Sequence, residues 1–266
     1  PLAMKLEADR MHNLVLSKRE FDKEIKVVME ERRWRTDDDA HSLVGERLMA
    51  TAYQEHPYHN PVIGWMNDLQ NMTESDARDW YKTWYAPGNA TLVIAGDVRA
   101  QEVFTLAQRY YGGIPAAQSQ KRKTSSEQPQ LGIKRIVVKA PAELPFIIMA
   151  YHAPTLRDVE KDWQPYALSV LAGVLDGNQS ARLNKALVRE QQVAISVGAG
   201  YDSTARGPSL FTLEATPATG KTIAELEAAI REQLQTIIRD GVSEEELKRV
   251  RAQVTAAEVY KLDSVF

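Results

Sequence analysis

The sequence contains no cysteine. Disulfides, thiolate zinc sites and thiol nucleophiles are excluded together, so any metal must be held by His, Asp or Glu. Long apolar runs are missing as well. The longest candidate, Leu144 to Tyr151, falls short of the roughly twenty residues a membrane helix needs. Neither sign of charge dominates. With a net charge of −3 and a pI of about 6.0, no basic field points to nucleic acid or an anionic membrane as a partner. The compact basic run Lys121-Arg122-Lys123 sits among Gln and Ser and reads as a solvated loop. The chain opens Pro1-Leu2-Ala3-Met4 with no charged-then-apolar leader.

What is present is globular. At 266 residues, with 44% apolar and 26% charged residues, the chain is long enough for two domains of ordinary size, or one large one, and should bury a core. Ser17 followed by Glu20 is a capping box, and FDKEIKVVMEERRWR after it holds neither Gly nor Pro, which predicts a helix. A second helix is expected over 40–53, followed by a loop at HPYHNPVIG. Thr73 caps a third, in which Ala77, Trp80, Tyr81, Trp84 and Tyr85 form a wide apolar stripe that should bury. ATLVIA (90–95) reads as a strand, and 101–111 as a helix stopped by Gly112-Gly113 and Pro115. Residues 116–132 have almost no apolar content and predict a linker between a first domain at 1–115 and a second at 133–266.

The second half restarts with strands at IKRIVVK, LPFIIMAYHA, VAISVGAGY and SLFTLEAT, interleaved with helices over 161–175 and 181–189, the latter with Ser180 as its cap. Two long helices follow, the second opened by the box Ser243 and Glu246. Blocks of strands and helices predict an α+β fold. A helical pattern still runs at Phe266 and another begins just after Pro1, so the sequence reads as an internal piece whose two domains are both incomplete.

Few residues suggest chemistry. Of His12, His41, His56, His59 and His152, none forms H-x-x-x-H or H-x-x-E-H, and HPYH reads as a loop that packs Tyr58. G-x-S-x-G and the P-loop are absent, and Gly112-Gly113 and Gly198-x-Gly200 are too sparse for phosphate binding. Glu24 and Glu31 remain. Seven residues apart, they point within about 20° of one direction on a helix, with Val27 and Val28 between them. A carboxylate on an apolar face needs a cation, a hydrogen bond or a proton. The simplest alternative is a solvated Glu31–Arg35 pair at i+4, with Glu24 merely exposed. Seven residues also rise about 10.5 Å, so the two carboxylates cannot easily share one ion; one would be a ligand and the other a more distant support.

The order KLEADRMHNL, E-x6-E in FDKEIKVVMEERR, HPYHNPVIG, TESDARDWYKTWYAPGNATLVIAGDV and YYGGIP resembles the pitrilysin/insulinase family of zinc metallopeptidases, the inverzincins. It looks closest to the short two-domain branch that includes the mitochondrial processing peptidase. The resemblance covers almost the whole chain, and the E-x6-E helix and YAPGNATLVIAGDV carry it most specifically. It implies two related domains, each a mostly antiparallel sheet packed with helices. It further implies a zinc metalloendopeptidase acting on peptides or small unfolded proteins, with Glu31 as a metal ligand and Glu24 as its supporting carboxylate. The histidines and catalytic Glu of H-x-x-E-H have no counterpart here and are expected before Pro1, so the fragment itself should be inactive and bind zinc weakly at most. A non-catalytic scaffold subunit of the same fold is one alternative; a plain protein-binding module unrelated to proteolysis, favoured if the helix of Glu31 faces solvent, is the other.

In the second domain, WQPYALSVLAGVL stands in the place of the metal-binding helix and contains neither His nor Glu. Where the family resembles L-R-x6-Y, with Arg and Tyr reaching the peptide substrate, this chain has Val188 and Ile195. Arg189 stands one position late, about 100° away on an α-helix, and is not assigned that role. A homologous partner subunit is expected to supply the Arg and Tyr, making a heterodimer. Nothing fixes the compartment; bacterial periplasm and cytoplasm are both open.

Overall fold

In a computed structural model of the chain, residues 1–116 and 123–263 are described, with only the backbone for Glu258. The basic run at Lys121 and Arg122, and most of the first half of the expected linker, lie outside the described residues. The chain forms two compact units, 1–138 and 139–266.

The first unit is helical. It comprises α1 (Leu2–Asn13), α2 (Lys18–Arg32), α3 (Ala40–Ala52), α4 (Met66–Asn71), α5 (Glu74–Trp84) and α6 (Ala100–Tyr111), with a π turn at Arg33–Asp37 continuing α2. The helix starts follow from local hydrogen bonding. Thr73 and Asp76 form a reciprocal capping box on α5, whereas Ser17 accepts from the Glu20 N–H at 3.3 Å while the Glu20 carboxylate turns to Lys23 at 3.0 Å, leaving half a box on α2. α1 packs on α6, and α2 on α4 and α5. Tyr81 donates from its hydroxyl to the Arg10 carbonyl at 2.8 Å, tying α5 to α1.

Two expectations change here. ATLVIA and IKRIVVK form no ladder among the described residues, and Leu92, Val93, Ile133 and Val137 are exposed. The β-branched pattern is a strand pattern, but a strand exists only where a neighbour hydrogen-bonds to it in register, and among the described residues neither segment forms such a pairing. The α5 stripe is likewise only half-buried, with Trp80 exposed and no residue of that helix fully buried.

The second unit holds an antiparallel three-stranded sheet in the order β1 (Ile147–Ala153), β3 (Ser209–Pro217), β2 (Ala194–Tyr201). β3 is central, and alternate residues Ser209, Phe211, Leu213, Ala215 and Pro217 are buried, as a period of two requires when one face meets the core. That core adds Leu175, Leu183, Leu187, Leu226, Ala229 and Ile230 from α7 (Trp163–Asp176), α8 (Ile223–Asp240) and the segment between α7 and β2. α9 (Glu244–Lys261) packs on α7 where Gly173 faces Val250; a Cβ at Gly173 would lie 2.8 Å from Val250 Cγ1. Helices with an antiparallel sheet make the molecule α+β. No helix among the described residues is long and apolar enough to cross a membrane.

Candidate functional site

α2 presents two different sides. Arg32 is buried at 4% exposure and forks onto Glu46 of α3 at 2.7 and 3.0 Å, while its Nη1 also donates to the Gly64 carbonyl at 2.8 Å. Its guanidinium lies 6.0 Å from the Trp65 ring. Hydrogen bonding to Glu46 outweighs burial and raises the Arg32 pKa, so the buried pair stays charged. This residue, which the sequence did not single out, fixes α2 against α3 and the loop before α4.

Glu31 is one position, about 100°, around the helix from Arg32 and therefore belongs to another face. Its side chain is 39% exposed and pairs with Arg35 Nη1 at 3.1 Å, even though Arg35 lies in the π turn. Glu24 is exposed, and Val27 between them is 57% exposed. The simple i+4 pair is thus what the first unit forms. No three His, Asp or Glu side chains gather into a possible metal site among the described residues, so the residues present do not by themselves fit zinc.

The HPYH segment packs as a loop. His56 Nδ1 accepts from the Tyr58 N–H at 3.2 Å and caps the 3₁₀ turn Pro57–His59, while Tyr58 stands edge-on to Tyr53 with centroids 5.8 Å apart. Burial pushes the Tyr53 phenol up to about 12. A feature with no signal in the sequence adjoins it. The N–H groups of Gln54, Glu55 and His56 all donate to the Glu127 carboxylate at 2.9–3.0 Å, forming a backbone nest around an anion. Ser125 Oγ donates to the Glu55 carbonyl at 2.7 Å, and Lys134 Nζ to that of Thr51 at 2.9 Å, so the extended segment after residue 122 is fastened to the end of α3.

In the second unit, Asp176 at the end of α7 accepts from Asn184 Nδ2 at 3.0 Å and from the Ala199 N–H at 3.2 Å, a junction between helix, connector and sheet. The expected helix at 181–189 is mostly a π turn, Asn184–Glu190, with no side-chain cap. Ser180 does not cap it; its N–H donates to Asn178 Oδ1 at 2.7 Å. The α-helical rotation of 100° therefore does not describe the displacement of Arg189. Val188 packs against the core, and Ile195 occupies a β-bulge between Ala194 and Ser196, 51% exposed. Gln192, between the π turn and β2, has φ of 51°.

The chain thus joins a helical unit carrying the E-x6-E helix to a unit built on a three-stranded antiparallel sheet. The family model described as Peptidase M16 inactive domain matches residues 71–254, and the chain belongs to that family. Among curated relatives, the zinc protease PqqE of Helicobacter pylori is 29% identical over 98% of this chain and 59% of its own length. An uncharacterized zinc protease of Mycobacterium leprae is 28% identical over 98% of this chain and 58% of its own length. The crystal structure of a protease from Helicobacter pylori superposes with a TM-score of 0.88 at 28% identity, covering 99% of this chain and 63% of that one. The chain thus spans less than two thirds of the relatives it matches.

Proposed function

We propose that these residues are part of the metal-binding subunit of a zinc metalloendopeptidase acting on peptides or small unfolded proteins, in which Glu31 is a metal ligand. The E-x6-E helix carries this reading, because it stands in the family context and places Glu31 on a face that the first unit does not bury. Glu24, two turns earlier on that face, is the supporting carboxylate. The histidine ligands and the catalytic Glu of H-x-x-E-H come from outside these residues, and Glu31 exchanges Arg35 for the metal in the complete protein. The 266 residues alone hydrolyse nothing and bind zinc weakly.

With Val188 against the core and Ile195 in the bulge, the Arg and Tyr that reach a peptide in related enzymes are supplied by a homologous partner subunit, so the working enzyme is a heterodimer. Purified full-length protein tests this directly: hydrolysis should appear only when a second homologous subunit is added, and hydrolysis by the homogeneous protein alone would contradict it. The Glu31–Arg35 pair favours one other reading, a scaffold subunit in which the carboxylates are leftover. Reading the complete sequence for H-x-x-E-H separates the two, since the scaffold does not need it.

A further inference from the structure

The second unit contains a cavity of about 580 Å³ lined by Ser180, Lys185, Arg189, Glu190 and Arg249. Three cations and one anion face it, in a chain whose net charge is −3. Lys185 and Glu190 stand 3.8 Å apart and exposed, a weak pair. The Arg189 and Arg249 guanidinium groups have no hydrogen-bond or ion-pair partner among the described residues. A solvated charge cluster would leave its donors in water, but Arg249 Nε is buried without a partner. So is Asn178 Nδ2, on the residue whose Oδ1 holds the Ser180 N–H. Both orphans are donors, and what such a place lacks is an acceptor.

The wall is also unusual in its backbone. Lys185, Arg189 and Glu190 belong to the π turn, and Gln192 just beyond it takes a left-handed conformation; both features cost stability and tend to persist where a site needs them.

We propose that this cavity binds the C-terminal carboxylate of a peptide. Two unpaired guanidinium forks suit a planar carboxylate, Ser180 adds a hydroxyl, and Glu190 keeps the local charge modest. The volume exceeds that of one oxyanion and falls within the range of small-ligand sites, leaving room for the residues that precede the terminus. The choice of a peptide rests on the peptidase reading above; the anion site itself does not.

The test is fluorescence anisotropy on the 266-residue chain with one labelled, unstructured peptide in two forms, free acid and C-terminal amide, each with and without inorganic phosphate. The free acid should bind at least ten times more tightly, and phosphate should compete. Arg189→Gln, at an exposed position, and Arg249→Gln should each reduce the free acid to the affinity of the amide while leaving the amide unchanged, with folding checked by circular dichroism. Should Arg249→Gln unfold the chain, Arg189→Gln carries the test. Equal affinity of the two peptides, or a preference that survives Arg189→Gln, overturns the proposal. Phosphate binding without peptide preference overturns it too, leaving a small-anion site. Because the readout requires neither zinc nor hydrolysis, failure here is distinguishable from failure of the peptidase reading.

Discussion

At the scale of single residues, a large shift in acidity belongs to Glu246 in the second unit. Glu246 accepts from Arg182 Nε at 2.5 Å and Nη2 at 2.7 Å, and also closes the α9 capping box by accepting from the Ser243 N–H at 2.9 Å. The hydrogen bond from Arg182, opposed by burial and aided by Ser243, lowers its pKa to about 2. Because the folded-state value lies below the unfolded one, the stabilisation is complete above pH about 4.5 and disappears as pH falls through about 2. Its size is about 3 kcal/mol at neutral pH. Urea unfolding of Glu246→Gln at pH 7 should show a loss of about 2–3 kcal/mol, and the variant should lose less stability than the parent between pH 5 and 2. Gln192 offers the opposite sign. A left-handed residue with a side chain is strained by about 1 kcal/mol, so Gln192→Gly should raise stability by up to that amount in the same assay.

At the scale of elements, close approach decides more than propensity. Gly173 lets α7 and α9 meet, and Val250 is 2% exposed, so its branched side chain has little room to retreat. Gly173→Ala should cost about 1–3 kcal/mol despite the better helix propensity of alanine, measurable as a lowered thermal midpoint. Elements with their own periodicity or caps were legible in the sequence: α3, α5, α6, α8, β1 and β3 fall where apolar spacing and capping residues put them. Others were not. The strand patterns at 90–95 and 133–139 are real in composition, yet a ladder depends on a neighbour, which no local pattern encodes. The π turn at Asn184–Glu190 and the bulge at Ile195 have no residue signature, and the expected helix and strand boundaries ran straight through them. Arg32 and Glu127 were missed for a related reason, since each is defined by partners distant in sequence.

At the scale of the whole molecule, the two units differ in what holds them together. The second has a continuous core around β3, whereas the first rests on helix contacts, the buried Arg32–Glu46 pair and the Glu127 nest, with many large apolar side chains exposed. The E-x6-E helix belongs to that more open unit. Glu24 and Val27 on it are exposed and Glu31 is half-exposed, while Arg32, about 100° around the helix from Glu31, anchors it to α3. The resemblance to the family is legible in the order of motifs along the chain, and the candidate ligand Glu31 follows from that resemblance. Spacing alone favoured an ordinary ion pair, and within these residues an ordinary ion pair is what Glu31 makes. The most direct measurement is therefore the zinc content and zinc affinity of the full-length protein with and without Glu31→Gln, with circular dichroism as the folding control. The account predicts about one zinc per wild-type subunit and a loss of at least a hundredfold in affinity in the variant with its fold intact; an unchanged stoichiometry and affinity in Glu31→Gln would contradict it.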